Sequence, residues 1–477
     1  MNDVSKLWKD IPPLLKIVGA RRQIQDWWVK QRHKIVVLDD DPTGVQTVHD
    51  VSVITDWSKQ WILKALQEDN HLFYILTNTR SMEPDQAEQI NREIICQLVE
   101  CAQELKISFS VISRSDSTLR GHYPLEIDVI QEEIERKNGM SMDGHLIIPA
   151  FFEGKRYTIR NTHYLLEEET LVPVHDTEFA KDTVFGYQTG VLPDWIQEKR
   201  GAVTKTPIHV ISLEDIRLGG IDRVCKILCS VENHAPIVVN AVAYEDLEVV
   251  SLALINAWEQ GKNFLYRTAA SFVKAFAGLE DRPLLTGEEM INTAGREHGG
   301  LIVVGSHTRK TTEQLQHLVQ EQKVNIVEID VTKLLNQENR HQEIARVTEE
   351  MNRFIKQGIN TVVYTSRDVI IAPEKLRNLD ISQTISHSLS TLVNHLSVSP
   401  QFIIAKGGIT SSDIATDGLC IKKAKVLGQV VSGIPVWFTG SESRFPYTPY
   451  VVFPGNVGER GTLSEIVAKI QNIKEGS

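Results

Sequence analysis

Three consecutive aspartates follow a short apolar run. Asp39, Asp40 and Asp41 come directly after the apolar residues 35–38. If the strand continues, Asp39 and Asp41 point to one face and Asp40 to the other, because side chains alternate along a strand. Carboxylates placed in this way could hold Mg²⁺, bind sugar hydroxyls or accept a proton. A turn with one capping aspartate is the alternative, since a proline and a glycine follow, but a turn needs only one acid.

A second polar cluster, residues 114–122, contains two arginines, one aspartate and three hydroxyl side chains. Arg80 and Arg156 lie near the ends of neighbouring predicted strands. The guanidinium fork matches a carboxylate bidentately, whereas aspartate and serine suit the hydroxyls of a polyol. A single Arg–Asp pair often only ties two loops together. Four converging arginines favour a pocket for a small hydroxylated acid.

Three glycine-containing loops follow predicted strands in the second half. They are Gly407-Gly408-Ile409-Thr410, Gly305-Ser306 and Pro454-Gly455-Asn456. The first precedes a helix predicted from Asp413 to Leu419, and the second precedes a helix predicted over 311–319. Glycine lets backbone N–H groups turn toward an anion, and a helix N-terminus favours negative charge. Neither G-x-x-x-x-G-K-[ST] nor G-x-G-x-x-G is present. Each loop alone is more often a tight turn, but three in one domain favour a nucleotide site.

The elements that position these clusters are short apolar runs alternating with helical stretches. The runs are 35–38, 72–76, 109–112, 146–148, 237–239, 264–266, 301–304, 324–329, 361–364, 402–405 and 450–453. Continuous apolar runs predict parallel strands buried on both faces, and ligands of such sheets sit beyond the carboxyl ends of the strands. The sequence therefore predicts an α/β protein with two domains, each with a mainly parallel sheet flanked by helices, and an active site in the cleft between the domains.

Predicted boundaries follow from the same pattern. Residues 1–33 form an amphipathic helical extension, 34–278 the first domain, 279–300 a glycine- and proline-containing linker region, and 301–477 the second domain. The tryptophans of the extension pack against the first domain or against another subunit, so that a homodimer is a further possibility.

Composition limits the partners. The 477 residues carry a net charge of −11, which argues against nucleic acid and anionic membranes, because both attract basic surfaces. No stretch approaches the roughly 20 apolar residues of a membrane span, and the N-terminus lacks a signal-peptide pattern. These features predict a cytoplasmic protein.

The clusters resemble those of the four-carbon acid sugar kinase family, whose members phosphorylate acids such as threonate, erythronate and 3-oxotetronate. The segments that carry the resemblance are Asp40-Asp41-Pro42-Thr43-Gly44, Asp116-Ser117-Thr118-Leu119-Arg120-Gly121, Lys406-Gly407-Gly408-Ile409-Thr410 and Pro454-Gly455-Asn456. The resemblance runs along nearly the whole chain from about residue 34. Pro42, Arg114 and Val457 depart from the commoner family pattern, which leaves the particular acid open.

The resemblance implies that the first domain binds the sugar acid and the second binds ATP, with Mg²⁺ bridging the phosphates. Its implied sugar-acid residues are Asp40, Asp41, Arg114, Asp116, Ser117 and Arg120. Its implied nucleotide residues are Ser306, Gly407, Gly408, Thr410, Gly455 and Asn456. Arg114 and Arg120, with Arg80 and Arg156, would clamp the substrate carboxylate. Asp41 or Asp116 would accept the hydroxyl proton, and the metal ligands stay unassigned.

Two rival functions remain at the level of sequence. Asp39-x-Asp41-x-Thr43 after an apolar run fits the D-x-D-x-T pattern of aspartyl phosphatases, with Asp39 as the nucleophile, although a convincing late acidic pair for Mg²⁺ is missing. The other rival is a sensor that binds sugar acid and nucleotide without turnover.

Overall fold

The computed structural model describes residues 2–3, 10–201, 206–290, 292, 297–306, 308–366, 375–455 and 457–471. The strands are β1 (Asn2–Asp3), β2 (Lys34–Asp39), β3 (Val51–Ile54), β4 (Leu72–Leu76), β5 (Phe109–Arg114), β6 (Gly144–Ile148), β7 (Arg156–Ile159), β8 (Thr162–Glu167), β9 (Thr170–Pro173), β10 (His209–Ile211), β11 (Ala235–Val239), β12 (Phe264–Thr268), β13 (Leu301–Val304), β14 (Asn325–Ile329), β15 (Thr361–Thr365), β16 (Ile403–Lys406), β17 (Lys423–Val431), β18 (Ile434–Thr439) and β19 (Pro449–Phe453).

The α-helices are Ala20–Gln31, Lys59–Gln67, Pro84–Leu105, Leu125–Asn138, Leu192–Arg200, Leu213–Arg217, Gly220–Cys229, Tyr244–Glu259, Ala270–Phe276, Arg309–Glu321, Val331–Leu335, Gln337–Lys356, Lys375–Asn394, Gly408–Asp413 and Thr462–Gln471. The 3₁₀ turns are Thr79–Ser81, Val174–Asp176, Glu178–Lys181 and Glu288–Met290, and a π-helical turn is Ile414–Gly418. No helix in the described part of the chain combines the length and apolar character that a membrane span requires.

The chain divides into two compact units. The first comprises Met1–Val48 and Asp56–Asp281, and the second comprises His49–Thr55 and Arg282–Ser477. The short segment belongs to the second unit because its strand β3 pairs with β17 in antiparallel fashion. The sequence analysis predicted one continuous first domain over residues 34–278, whereas residues 49–55 belong to the second unit.

The first unit is built on a parallel sheet in the order β10-β11-β6-β12-β5-β2-β4. Every residue of β2, β4 and β6 is buried, as expected for strands covered on both faces. A small antiparallel sheet, β1-β9-β8-β7, forms in the same unit.

The second unit places five parallel strands in the order β14-β15-β13-β16-β19, and the antiparallel strands β18, β17 and β3 extend that sheet. The predicted α/β class with mainly parallel sheets is therefore confirmed. The core of this unit lies around β13, β16 and β19.

The N-terminal helix is shorter than expected. It begins at Ala20, because Pro12, Pro13 and a left-handed Gly19 precede it and cannot continue a helix. Its Trp28 is buried in the first unit and donates from Nε1 to the carbonyl of Phe276 at 2.6 Å.

Candidate functional site

The polar clusters of the first unit lie at the carboxyl edge of its parallel sheet. Asp39, the last residue of β2, is in register with Leu76 of β4 and with Arg114 of β5. Side chains that follow these strands therefore meet at one edge. The residues in ion-pair contact there are Asp39, Asp40, Asp41, Arg80, Arg114, Asp116 and Arg120.

Asp40 is held from two sides. Arg80 donates to its carboxylate from Nη2 at 2.5 Å and from Nε at 3.2 Å, and Ser115 donates from Oγ at 2.6 Å. Burial alone would raise the pKa of Asp40, but the charge and hydrogen bond of Arg80, with the charge of Arg114, hold the pKa below its usual range. Asp41 receives Nη1 of Arg80 at 3.3 Å and keeps 18% of its side chain exposed.

Asp39 lies beneath this cluster. Its carboxylate is 2% exposed and accepts Nη1 of Arg114 at 3.1 Å. Gly44 packs directly over it, since a Cβ at that position would lie 2.0 Å from Oδ2. Burial raises the pKa of Asp39 to about 7, against the charge of Arg114. Asp39 and Arg114 thus form a buried ion pair, whereas Asp41 keeps part of its side chain exposed.

Asp116 is the second strongly ionised carboxylate. Arg120 donates from Nε to its Oδ2 at 2.7 Å, and Thr118 donates to the same oxygen. Burial alone would raise the pKa of Asp116, but the charges of Arg120 and Arg80 and these hydrogen bonds hold it far below its usual range. Such a carboxylate is a strong acceptor for hydroxyl groups and a weak acceptor for a transferred proton.

Arg156 differs from the other predicted arginines. It begins β7, and its Nη1 donates to the carbonyl of Gly154 at 2.6 Å, while its Nε has no hydrogen-bond partner among the described residues. Within the described part of the chain it forms no ion pair with a carboxylate. Burial lowers its pKa, although the charge of Asp116 opposes this. Arg156 therefore retains capacity for an external anion.

The loop that carries Ser117 is held by the small antiparallel sheet and the turns after it. His163 contacts the carbonyl of Ser117 through Nε2 at 2.8 Å, and Tyr187 donates its hydroxyl to the carbonyl of Thr118 at 2.7 Å. The side chain of Ser117 is buried. These contacts are made by the main chain of Ser117 and Thr118.

Two buried charged residues were missed by the reasoning from sequence. Arg267 of β12 pairs with Glu126 and donates to Oγ of Ser113 at 2.9 Å, and Thr79 donates to Glu126 at 2.7 Å. This network lies behind Asp40, whose pKa Arg267 helps to lower. The available signal was a charged residue directly after the apolar run 264–266.

The glycine loops of the second unit meet at adjacent strand ends. The amide of Gly305 donates to the carbonyl of Lys406 at 3.2 Å, and the amide of Gly407 donates to the carbonyl of Phe453 at 2.9 Å. The carbonyl of Gly455 accepts the hydroxyl of Thr311 at 3.3 Å. These contacts link all three loops within one unit.

The predicted nucleotide residues lie in these loops. Thr311 donates to Oγ of Ser306 at 3.1 Å, and Thr410 is buried beside Gly305. The helix expected from Asp413 begins instead at Gly408, because Gly407 at φ 127° makes the turn into it. Gly408 and Thr410 are therefore part of the helix. Asn456 lies outside the described residues.

Within the described part of the chain, no group of three or more His, Cys, Asp or Glu residues could hold a metal ion. The aspartates of the first unit are instead engaged by arginine and threonine donors. The acidic cluster therefore does not fit a resident metal.

The comparisons with known proteins agree with this division into two sites. Residues 35–276 match the family described as a sugar-binding N-terminal domain, and residues 301–463 match a nucleotide-binding C-terminal domain. The fold and its sites thus define a two-domain protein of the sugar- and nucleotide-binding class. The chain belongs to the four-carbon acid sugar kinase family.

Solved structures share the fold at low identity. A protein from Salmonella typhimurium LT2, described as a putative tRNA synthase, has a TM-score of 0.68 at 15% identity, covering 92% of this chain and 99% of that chain. A Haemophilus influenzae protein from a family of unknown function has a TM-score of 0.63 at 16% identity, with coverage of 92% and 99%. Among curated proteins, no relative matches this chain at a significant level.

Proposed function

We propose that this protein is an ATP-dependent kinase that phosphorylates a terminal hydroxyl of a four-carbon sugar acid. The observation that carries the proposal is Arg156, a half-buried arginine that has a buried Nε without a hydrogen-bond partner and no carboxylate partner among the described residues, close to the ionised Asp116. A substrate carboxylate would supply the missing charge, and Asp116 would accept its hydroxyl groups. The match of residues 301–463 to a nucleotide-binding domain supports the phosphoryl donor.

The roles of the remaining residues follow from their contacts. Arg80 is paired with Asp40, and Arg120 is paired with Asp116. The two arginines therefore hold in place the carboxylates that would accept the substrate hydroxyls, and they add positive potential to the site. Arg114 would act indirectly, through its ion pair with the buried Asp39. Asp41, which is more exposed than Asp40, would accept the proton of the attacking hydroxyl.

ATP would be held by the three glycine loops. The amide of Gly407 is already bound to the carbonyl of Phe453, so the partly exposed Gly408 and the hydroxyls of Ser306 and Thr410 would supply the contacts to phosphate oxygens. Mg²⁺ would arrive as part of the substrate, bound by the phosphates, since the acidic cluster offers no metal site. Transfer then requires the hydroxyl of the acid to meet the γ-phosphate in line. The cytoplasm, which supplies ATP, is the compartment that this proposal requires.

The test is ADP release by the full chain with ATP, Mg²⁺ and each of threonate, erythronate and 3-oxotetronate. We expect release that depends on one of these acids and that falls by about 10²-fold in Asp116→Asn. The matched control is Asp222→Asn, which removes an exposed aspartate of the same unit. Acid-independent ADP release, or none with any acid, would contradict the proposal.

The same assay separates the rival functions. An aspartyl phosphatase would release phosphate from an aryl phosphate without ATP, but burial of Asp39 beneath Gly44 and its pairing with Arg114 oppose nucleophilic attack by that residue. A sensor would be stabilised by acid and nucleotide and would release no ADP.

A further inference from the structure

Lys406, the last residue of β16, carries a fully buried ammonium group. Its Nζ donates to the carbonyl of Pro454 at 2.7 Å and lies 3.6 Å from the ring centroid of Phe453. Within the described residues no carboxylate forms an ion pair with it. An ammonium has three donors and is strongly hydrated in water, so this burial is costly unless a charge compensates it.

The position of Lys406 connects it to each glycine loop. Its carbonyl accepts the amide of Gly305 at 3.2 Å, and Gly407 follows it in the chain. Its ammonium holds Pro454, the residue before Gly455. Lys406 is therefore linked to all three loops, to two of them through its main chain and to the third through its side chain.

Among the described residues, no acidic side chain raises the pKa of Lys406. Burial lowers its pKa to about 7, and repulsion from Lys310 on the helix Arg309–Glu321 adds to this. Asp413 receives a hydrogen bond from Ser386, and burial raises its pKa. Tyr450 of β19 donates its hydroxyl to a backbone carbonyl, and burial raises its pKa well above the usual range.

We propose that Lys406 is a positioning residue of the nucleotide site, whose buried ammonium holds the Pro454 carbonyl and is compensated by the phosphates of the bound nucleotide. The inference rests on the proposed function and deepens it. A bound polyphosphate favours the charged form of a nearby amine, so nucleotide binding is coupled to proton uptake by Lys406. A merely structural lysine would not show this coupling.

The experiment is calorimetric titration of the full chain with ADP at pH 8, in buffers of different ionisation enthalpy. At this pH the terminal phosphate, with a pKa of about 6, changes its protonation little. We expect the wild-type protein to take up close to one proton per ADP. Lys406→Met, which keeps an unbranched apolar chain, should take up none and bind ADP about tenfold more weakly or worse.

Lys356→Met, which removes an exposed lysine of the same unit, is the matched control and should behave as the wild type. ADP binding without proton uptake in the wild type overturns the role of Lys406 and leaves the proposed function standing. The number of protons that the wild type takes up per ADP tests the role of Lys406 even if Lys406→Met does not fold. Absence of any ADP binding to the folded wild type overturns both the proposed function and this inference.

Discussion

Arg120 donates from Nε to Oδ2 of Asp116 across 2.7 Å, and both side chains remain partly accessible, at 24% and 13% exposure. The pair is thus neither closed off nor free in solvent. Asp182 lies on the other side of Arg120, at 3.6 Å from Nη1, and fixes the direction of its guanidinium. The arginine holds a carboxylate ionised in the place where the proposed substrate hydroxyls bind.

The first prediction is that Arg120 and Asp116 act as one unit. Arg120→Gln and Asp116→Asn should each lower kcat/KM for the sugar acid by about 10²-fold, because the loss of either one misplaces the substrate. The double variant should lose little more than each single variant, since coupled residues are not additive. Steady-state kinetics of the three variants measures this, with the nucleotide affinity unchanged. Multiplicative losses would show that the two residues act separately.

The second prediction concerns the carboxylate of the substrate. Arg156→Ala should lower kcat/KM for the acid by about 10- to 10²-fold, in line with the roughly 1.5–3 kcal/mol of a charge-assisted hydrogen bond. A four-carbon polyol without a carboxylate should be a poor substrate of the wild type and should lose no further activity in the variant. Arg22→Ala, which removes an arginine with 82% exposure, serves as the control. Equal losses for acid and polyol would refute a role in carboxylate recognition.

The strands could be predicted from sequence because of their simple pattern. Runs such as 72–76 and 301–304 are apolar throughout, and strands buried on both faces have this pattern at nearly their true bounds. The gathering of Asp40, Arg80 and Asp116 also followed from the sequence, since the ends of parallel strands share one edge.

The other features of the fold and of the candidate site depend on contacts between residues that are distant in sequence, and no local sequence pattern indicates such contacts. Glu126 is paired with Arg267 across 141 residues, and the pairing depends on β12 lying next to β5. Residues 49–55 belong to the second unit only because β3 pairs with β17. Which arginine keeps unused donors depends on side-chain directions, and spacing does not reveal these.

The third prediction is a pH dependence of stability from Asp39. The pKa of this carboxyl is raised from 3.8 to about 7 in the folded protein, mainly by burial. The folded state therefore binds more protons than the unfolded state between these values, and the contribution of Asp39 to stability is present below pH 3.8 and lost as the pH rises through about 7. Asp39→Asn should lack this loss.

Thermal unfolding from pH 4 to pH 8 measures the effect as a difference between the wild type and Asp39→Asn. The melting temperature of the wild type should fall relative to the variant as the pH rises. Asp26→Asn, at a position with 70% exposure, should follow the wild type. A difference that stays constant across this range would show that Asp39 does not titrate there.

The fourth prediction tests the turn into the helix Gly408–Asp413. Gly407 adopts φ 127°, where a side chain costs about 1–3 kcal/mol, so Gly407→Ala should disturb the loop that carries the proposed phosphate contacts. We expect the ATP affinity to fall about tenfold, while sugar-acid binding by the first unit is unchanged. Gly461→Ala is the control, because the nearest atom to a Cβ there is 3.7 Å away. Calorimetric titration of both variants with ATP and with the acid measures this, and an unchanged ATP affinity in Gly407→Ala would remove this loop from the nucleotide site.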